Sequence, residues 1–338
     1  MTIDLRSDTV TKPTPEMLEA MFNAPLGDDV YGEDPTVNAL ETFAADLFGF
    51  ESALYCSSGT QTNQIAIKVH TQPGDEVICH EEAHIYRYEG GGTMINSNVS
   101  MRFIRGNSGR INPDDLFDEI NPDDVHYPIT RLVCIEDTAN RGGGAIYDFE
   151  DIKKIRQFCT NNNLKLHLDG ARVFNALAEN GIDVKIYGNQ FDSISICLSK
   201  GLGAPVGSVL LGNRTFIKQA RRVRKYFGGG MRQAGIIAAG GLFALQNNIK
   251  RLKDDHYRAK QIGDLLQSAK WVDHLLPVDT NIVVAVIKNA AEQTAILTNL
   301  KDKGILCSAF GKGRIRLVTH LDISDSDLTY LKEQVSNL

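Results

Sequence analysis

Three residues in this chain are spaced to do chemistry together: Asp169, Arg172 and Lys200. An apolar run over residues 164–168 stops at Asp169, with Arg172 three residues on, and a second run over 193–198 stops at Ser199-Lys200-Gly201. Short apolar runs of this kind read as buried parallel strands, and open α/β sheets collect ligands at the carboxyl ends of their strands. Two adjacent strand ends would offer a carboxylate, a guanidinium and an amine to one crevice. A lysine shielded from water can be deprotonated near neutral pH and form a Schiff base with an aldehyde. An aspartate beneath a pyridine ring keeps the ring nitrogen protonated, so that the ring accepts electrons. The trio suits pyridoxal phosphate.

Plainer roles exist for each residue. Asp169 could cap the helix that follows it, and Lys200 could be a solvated loop lysine. The text around Lys200 favours the chemical role. It stands between an apolar strand and the glycine-rich turn GLGAPVGS, which leads into another apolar strand. A cofactor that approaches the backbone closely needs such glycines, whereas a surface lysine does not.

The remaining elements must position these groups. Val37, Leu40, Ala44, Leu47 and Phe48 fall on one face of a helix over 36–48. A strand over 53–56 breaks at Ser57-Ser58-Gly59-Thr60 and leads into another helix. The free N–H groups and dipole of such a helix start suit a phosphate, although Ser and Thr also cap helices with no ligand present. Further strands fall at 76–79, 100–105 and 132–135, with helices at 113–120 and 149–161. Repeated strand–helix alternation predicts an α/β fold with a mostly parallel central sheet. A helical stretch over 234–268 changes composition near 247–255, where charge rises. Beyond it, strands at 281–287, 305–310 and 314–319 and helices at 290–303 and 324–331 predict a small C-terminal α+β domain. The expected division is an N-terminal arm (1–30) with a helix at 14–22, a large domain (31–247) and a small one (248–338). Arg316 lies amid Ile315, Leu317 and Val318. An inward guanidinium on such a strand fits a bidentate carboxylate, from a substrate or from a structural ion pair.

Composition narrows the function classes. The chain has 338 residues, 42% of them hydrophobic, and a net charge of −6. No apolar run is long enough to span a bilayer, and the acidic-polar start lacks a signal-peptide profile. Six cysteines are scattered without C-x-x-C spacing, several inside apolar runs. They read as reduced core thiols, which makes the cytoplasm the expected location. A general role in binding nucleic acid or membrane is disfavoured. The one basic cluster, RRVRKYFGGGMR, reads as a solvated helix face, with Lys225 or Arg232 available for a phosphate or an interface.

A rival zinc reading comes from His80-Glu81-Glu82-Ala83-His84, a literal H-E-x-x-H. That motif needs both histidines on one face of a long helix. Here His80 ends an apolar strand and three glycines follow soon after His84. The match is therefore read as chance, with a zinc hydrolase as the remote alternative. His84 remains a candidate to stack on a cofactor ring.

Longer stretches carry a resemblance. RSDTVTKPT (6–14), GDDVYGEDPTVNALE (27–41), SSGTQTNQIA (57–66), HLDGARVFNA (167–176), DSISICLSKGLGAPVGSVLLG (192–212), GGGMRQAGIIAA (228–239) and RLVTHLD (316–322) resemble the L-threonine aldolase family. These are fold-type I pyridoxal-phosphate enzymes with an aspartate-aminotransferase-like fold. The resemblance covers nearly the whole chain, in order. It implies that Lys200 holds the cofactor, that Asp169 binds the pyridine nitrogen and that Arg172 lies on the side of the ring's phenolic oxygen. Gly59 and Thr60 would hold the phosphate, with Lys225 or Arg232 contributing, including from a neighbouring subunit. His84 would stack on the ring, Ser7 and Arg316 would bind the substrate carboxylate, and His126 would lie near the β-hydroxyl. A homotetramer with sites at a dimer interface is implied as well. The chain departs from the family at 136–140, which reads EDTAN where ENTHN is common, and at SAFGKG before Arg314. The implied reaction is retro-aldol cleavage of L-threonine, L-allo-threonine and related β-hydroxy-α-amino acids to glycine and an aldehyde. His84, His126 or a water would be the base. An aminotransferase or a β-eliminating lyase would use the same lysine and aspartate.

Overall fold

A computed structural model describes residues 2–335. After a two-residue β1 (Ile3–Asp4), the chain supplies one large sheet with β2 (Ser52–Cys56), β3 (Glu76–His80), β4 (Ser100–Ile104), β5 (Thr130–Glu136), β6 (Lys165–Gly170), β7 (Ser193–Cys197) and β8 (Ser208–Gly212). Their order in space is β2–β8–β7–β6–β5–β3–β4. Only β8 runs against the others. Helices cover both faces, so β3, β7 and β8 are buried along their whole length, whereas the edge strand β4 is largely open. Burial on both faces explains why the central strands read as continuous apolar runs rather than alternating ones.

A second sheet is antiparallel, with β9 (Val272–Leu275), β10 (Ile282–Ile287), β12 (Ser308–Ala309) and β13 (Arg314–Val318) in the order β12–β13–β10–β9. Between them in the chain, β11 (Ile305–Leu306) leaves this sheet and pairs in parallel with β1. The first residues of the chain are thereby built into the C-terminal core: Ile3 and Leu5 pack with Val283, Ile305 and Leu317.

Three local expectations change. The predicted helix at 113–120 is only a short 3-10 turn, Pro113–Leu116. Asn121-Pro122 follows closely, and a residue before proline is disfavoured in the helical region. The stretch at 234–268 is two helices, Gly235–Asn247 and Leu252–Gln267. They part at Asn248, whose side-chain amide donates to the Leu202 carbonyl at 2.7 Å. The basic cluster is not simply a solvated face. Arg224, from the helix Arg214–Tyr226, is buried and donates to Asp29 at 2.6 Å and to the Tyr55 carbonyl at 2.7 Å.

Candidate active site

Parallel strands end on the same edge of a sheet, so the register of β5, β6 and β7 sets the site. Glu136 of β5 lies opposite Asp169 of β6, and Asp169 opposite Ser195 of β7. Gly170 allows this close approach, because a Cβ there would stand 2.8 Å from the Ser195 carbonyl oxygen. Lys200 follows β7 in a turn closed by the Gly203 N–H donating to its carbonyl at 2.8 Å. Lys200, Arg172, His84, Glu136 and Arg316 line one cavity of about 390 Å³, together with Ser7, Asn140, Arg141 and Phe310.

Arg172 is anchored from a distant part of the chain. Its Nε and Nη2 donate to the two carboxylate oxygens of Asp8 at 2.7 and 2.6 Å, and both residues are buried. Burial alone would raise the Asp8 pKa. The Arg172 guanidinium overcomes that and holds the carboxyl well below the usual range. Asn281 adds a donor to Asp8 at 3.2 Å.

Asp169 sits at the end of a directed hydrogen-bond chain. Asn63, one turn inside the helix Gly59–His70, donates its amide to Asp169 and to Glu89, each at 2.9 Å. Its carbonyl oxygen must then accept, so His167 Nε2, 3.1 Å away, carries the proton. His167 Nδ1 accordingly accepts from the Ser193 hydroxyl at 2.8 Å, and Ser193 accepts from His70 Nε2 at 2.8 Å. Every donor therefore points toward the two carboxylates. Burial pushes His167 down to about 3 and His70 down to about 4, so both rings are neutral links.

Glu89 connects this chain to His84. Its Oε1 lies 3.0 Å from His84 Nδ1, and its Oε2 accepts from Gln64 Nε2 at 2.6 Å. Burial alone would lower the His84 pKa, but the carboxylates of Glu89, Asp169 and Glu136 outweigh it and raise it. With Nδ1 donating to Glu89, the lone pair of a neutral His84 is on Nε2.

Arg316 on β13 reaches the cavity from the second sheet. It donates to Asn140 Oδ1 at 2.8 Å and to the Arg6 carbonyl at 3.0 Å, while its Nε is buried without a partner. Burial and the nearby Arg172 bring its pKa down to about 10, so it stays cationic at neutral pH. Its guanidinium lies 5.0 Å from the centre of the Phe310 ring.

The other predicted residues fall into two groups. Gly59 and Thr60 open the helix Gly59–His70, capped by Ser58 accepting from the Gln61 N–H at 3.2 Å. Ser208 Oγ is buried without a partner and lies 3.6 Å from where a Gly59 Cβ would stand. His126, Lys225 and Arg232 are not in this chain's cavity. His126 is exposed, bonds Asp124 at 2.6 Å and precedes β5, on the edge of the sheet opposite the site. Its sequence neighbourhood says nothing of which sheet edge the loop occupies. Arg232 pairs with Asp28 at 3.0 Å, and Lys225 lines a separate surface hollow with Lys218, Arg221 and Arg222. His80 ends β3 and His84 starts the short helix His84–Arg87, so the two do not share a helix face. Sequence reasoning missed Asp8, Asn63, Glu89 and Asn140 as site residues. Asp8 and Asn63 lie inside RSDTVTKPT and SSGTQTNQIA, the stretches that carry the resemblance.

These residues fit pyridoxal phosphate. An orphaned hydroxyl beside a helix N-terminus suits its phosphate, a buried carboxylate fed by donors suits its ring nitrogen, and Lys200 opens onto the cavity.

The fold and this site define a pyridoxal-phosphate enzyme of fold type I. Leishmania major threonine aldolase superimposes with a TM-score of 0.83 at 20% identity, covering 99% of this chain and 98% of that one. The model of the beta-eliminating lyase family matches residues 4–290. The low specificity L-threonine aldolase of Escherichia coli (strain K12) is 44% identical over 329 residues, 96% of each chain. Low-specificity L-threonine aldolase 1 of Arabidopsis thaliana is 40% identical, covering 97% of this chain and 94% of its own. The chain therefore belongs to the beta-eliminating lyase family and, within it, to the L-threonine aldolases, which are carbon–carbon lyases.

Proposed function

We propose that the chain cleaves L-threonine, L-allo-threonine and related β-hydroxy-α-amino acids to glycine and an aldehyde. The observation that carries the reading is the convergence of Lys200, His84 and Arg316, from three separate elements, on one cavity, with the buried Asp169 paired in the sheet beside the cavity-lining Glu136. Bound there, pyridoxal phosphate supplies a sink for the electron pair left at Cα when the Cα–Cβ bond breaks. Lys200, which lines the cavity, would tether the cofactor through its side-chain amine. Asp169, fixed by Asn63, holds the proton on the ring nitrogen. Gly59 and Thr60 hold the phosphate with Ser208. Arg316, with Ser7 on the same cavity, would grip the substrate carboxylate and so fix the orientation of the Cα–Cβ bond. His84 Nε2 takes the proton of the β-hydroxyl, because Glu89 occupies Nδ1.

The assembly reading is a homotetramer in the cytoplasm. Lys225 and Arg232 lie outside their own chain's cavity, in a region that also carries the exposed Tyr31 and Tyr226, a position suited to serving a neighbouring copy. Five of six cysteines are buried thiols, in keeping with a reducing compartment. Among the described residues no helix is long and apolar enough to cross a membrane.

The test is an absorbance spectrum of the purified protein, followed by L-threonine and L-allo-threonine added separately with acetaldehyde measured. A near-visible band with acetaldehyde release supports the reading, and the two rates give the stereochemical preference. A band with 2-oxobutyrate or another four-carbon oxo acid, but no acetaldehyde, moves the function to elimination or transamination. A protein that stays colourless with added cofactor refutes the role given to Lys200.

A further inference from the structure

The cavity holds more unspent positive charge than one amino-acid carboxylate requires. Arg172 is neutralised by the bidentate Asp8. Arg316 keeps a buried Nε without a partner, and on the reading above it takes the α-carboxylate. Arg141 is a second guanidinium, only loosely paired. It follows β5 by five residues, its side chain is only 19% exposed, and it lines the same cavity. It lies 4.2 Å from the centre of the Phe310 ring, the ring that Arg316 also contacts at 5.0 Å. Among the described residues its guanidinium makes no hydrogen bond. Its one carboxylate neighbour there, Glu82, stands 3.7 Å away, beyond hydrogen-bonding distance. Its fork of N–H donors opens onto the cavity with no acceptor from the described residues, and its planar geometry matches a carboxylate.

The other charges leave room for an anion. The two Glu136 oxygens are taken by the backbone N–H groups of His84 and Asn140 at 2.9 and 3.0 Å. Glu82 is at the rim and contacts Arg141 only loosely. Ser308 and Asn140, polar residues that line the same cavity, are neutral.

We propose that Arg141 is a second carboxylate-binding group, and that the favoured substrates are β-hydroxy-α-amino acids with a second carboxylate beyond Cβ. Arg316 holds the α-carboxylate and Arg141 the distal one, with Phe310 keeping the two cations apart. In 3-hydroxyaspartate, the Cα–Cβ bond breaks, the β-hydroxyl gives up its proton and becomes the carbonyl of glyoxylate, and Cα takes a proton to give glycine. No oxidant or reductant is needed. The inference rests on the retro-aldol reading and adds the substrate class to it.

The test compares kcat/KM for 3-hydroxyaspartate, read as glyoxylate, with that for L-threonine, read as acetaldehyde, in holoenzyme and in its Arg141→Met variant. The expected preference for the dicarboxylate is at least about 10-fold, and Arg141→Met should reduce that ratio by about 10- to 100-fold, the loss of one or two charge-assisted hydrogen bonds. Arg141→Lys should restore part of it. A second arm needs no turnover and no variant: by calorimetry, succinate should bind the wild-type holoenzyme at least about 10-fold more tightly than butyrate. Threonine turnover with no dicarboxylate preference, and succinate no tighter than butyrate, would overturn the proposal and leave Arg141 as a stacking group only. Turnover of neither substrate would refute the retro-aldol reading, and the calorimetric arm would still judge Arg141.

Discussion

Replacing Asp137 with asparagine will change how stability depends on pH. Asp137 follows β5 and is fully buried. Its carboxyl accepts from the Tyr187 hydroxyl at 2.6 Å and from the Tyr147 N–H at 3.3 Å, with no ion-pair partner among the described residues. Burial pushes its pKa up from 3.8 to about 7, against the opposing effect of those two donors and of Arg110. A carboxyl raised in the folded state favours folding while it is protonated. Its contribution is fully present below pH 3.8 and is lost as pH climbs to about 7. Each unit is worth about 1.4 kcal/mol, so the loss across the window is about 4 kcal/mol. The asparagine side chain keeps an acceptor for Tyr187 and does not ionise. Urea unfolding of Asp137→Asn and wild type, in steps from about pH 4 to about pH 8, measures the difference directly. The variant should gain relative to wild type by about 1.4 kcal/mol per pH unit in the window and level off above a pH of about 7. Parallel curves for the two proteins across the range would refute the reasoning, because they would mean that Asp137 does not titrate differently on folding.

Three further outcomes follow from the site. Asp8→Asn leaves Arg172 as a buried cation without its carboxylate and should cost about 3–5 kcal/mol of stability; a change in melting temperature under about 2–3 °C, roughly 1 kcal/mol for a chain of this size, would count against the pair as an anchor. Glu89→Gln removes the main carboxylate partner of His84, so the His84 imidazole should titrate at lower pH in the NMR spectrum, and the alkaline-going rise of kcat should move with it. An unmoved His84 titration would separate the two residues. Arg316→Lys keeps the charge but loses the fork, so kcat/KM for threonine should fall about 10- to 100-fold while cofactor affinity is retained. Unchanged kinetics in that variant would remove Arg316 from carboxylate binding.

The positions of Asp169 and Lys200 were legible in the sequence. Each ends an apolar run, and a run buried on both faces of a parallel sheet has no other local appearance. Arg316 is half-buried on the face of β13 opposite Ile315 and Leu317, and only the packing of the second sheet turns that face onto the cavity. Periodicity reports burial and element type, which are local properties. The partners of these groups are not local. Asp8 meets Arg172 across 164 residues, and Asn63 meets Asp169 across 106. Such pairs exist only once the helix Gly59–His70, the N-terminal arm and the second sheet have packed against the strand ends. Packing also separated residues that sequence reasoning had grouped. It put His126 on the far edge of the sheet and turned Arg224 inward onto Asp29, and it brought Arg141, in the turn after β5, and Arg316 of β13 to one Phe310 ring. The sequence by itself determined which side chains stand at strand ends. The tertiary structure decided which of them meet, because side-chain pairing depends on how sheets and helices close over long separations, and no short window of residues carries that information.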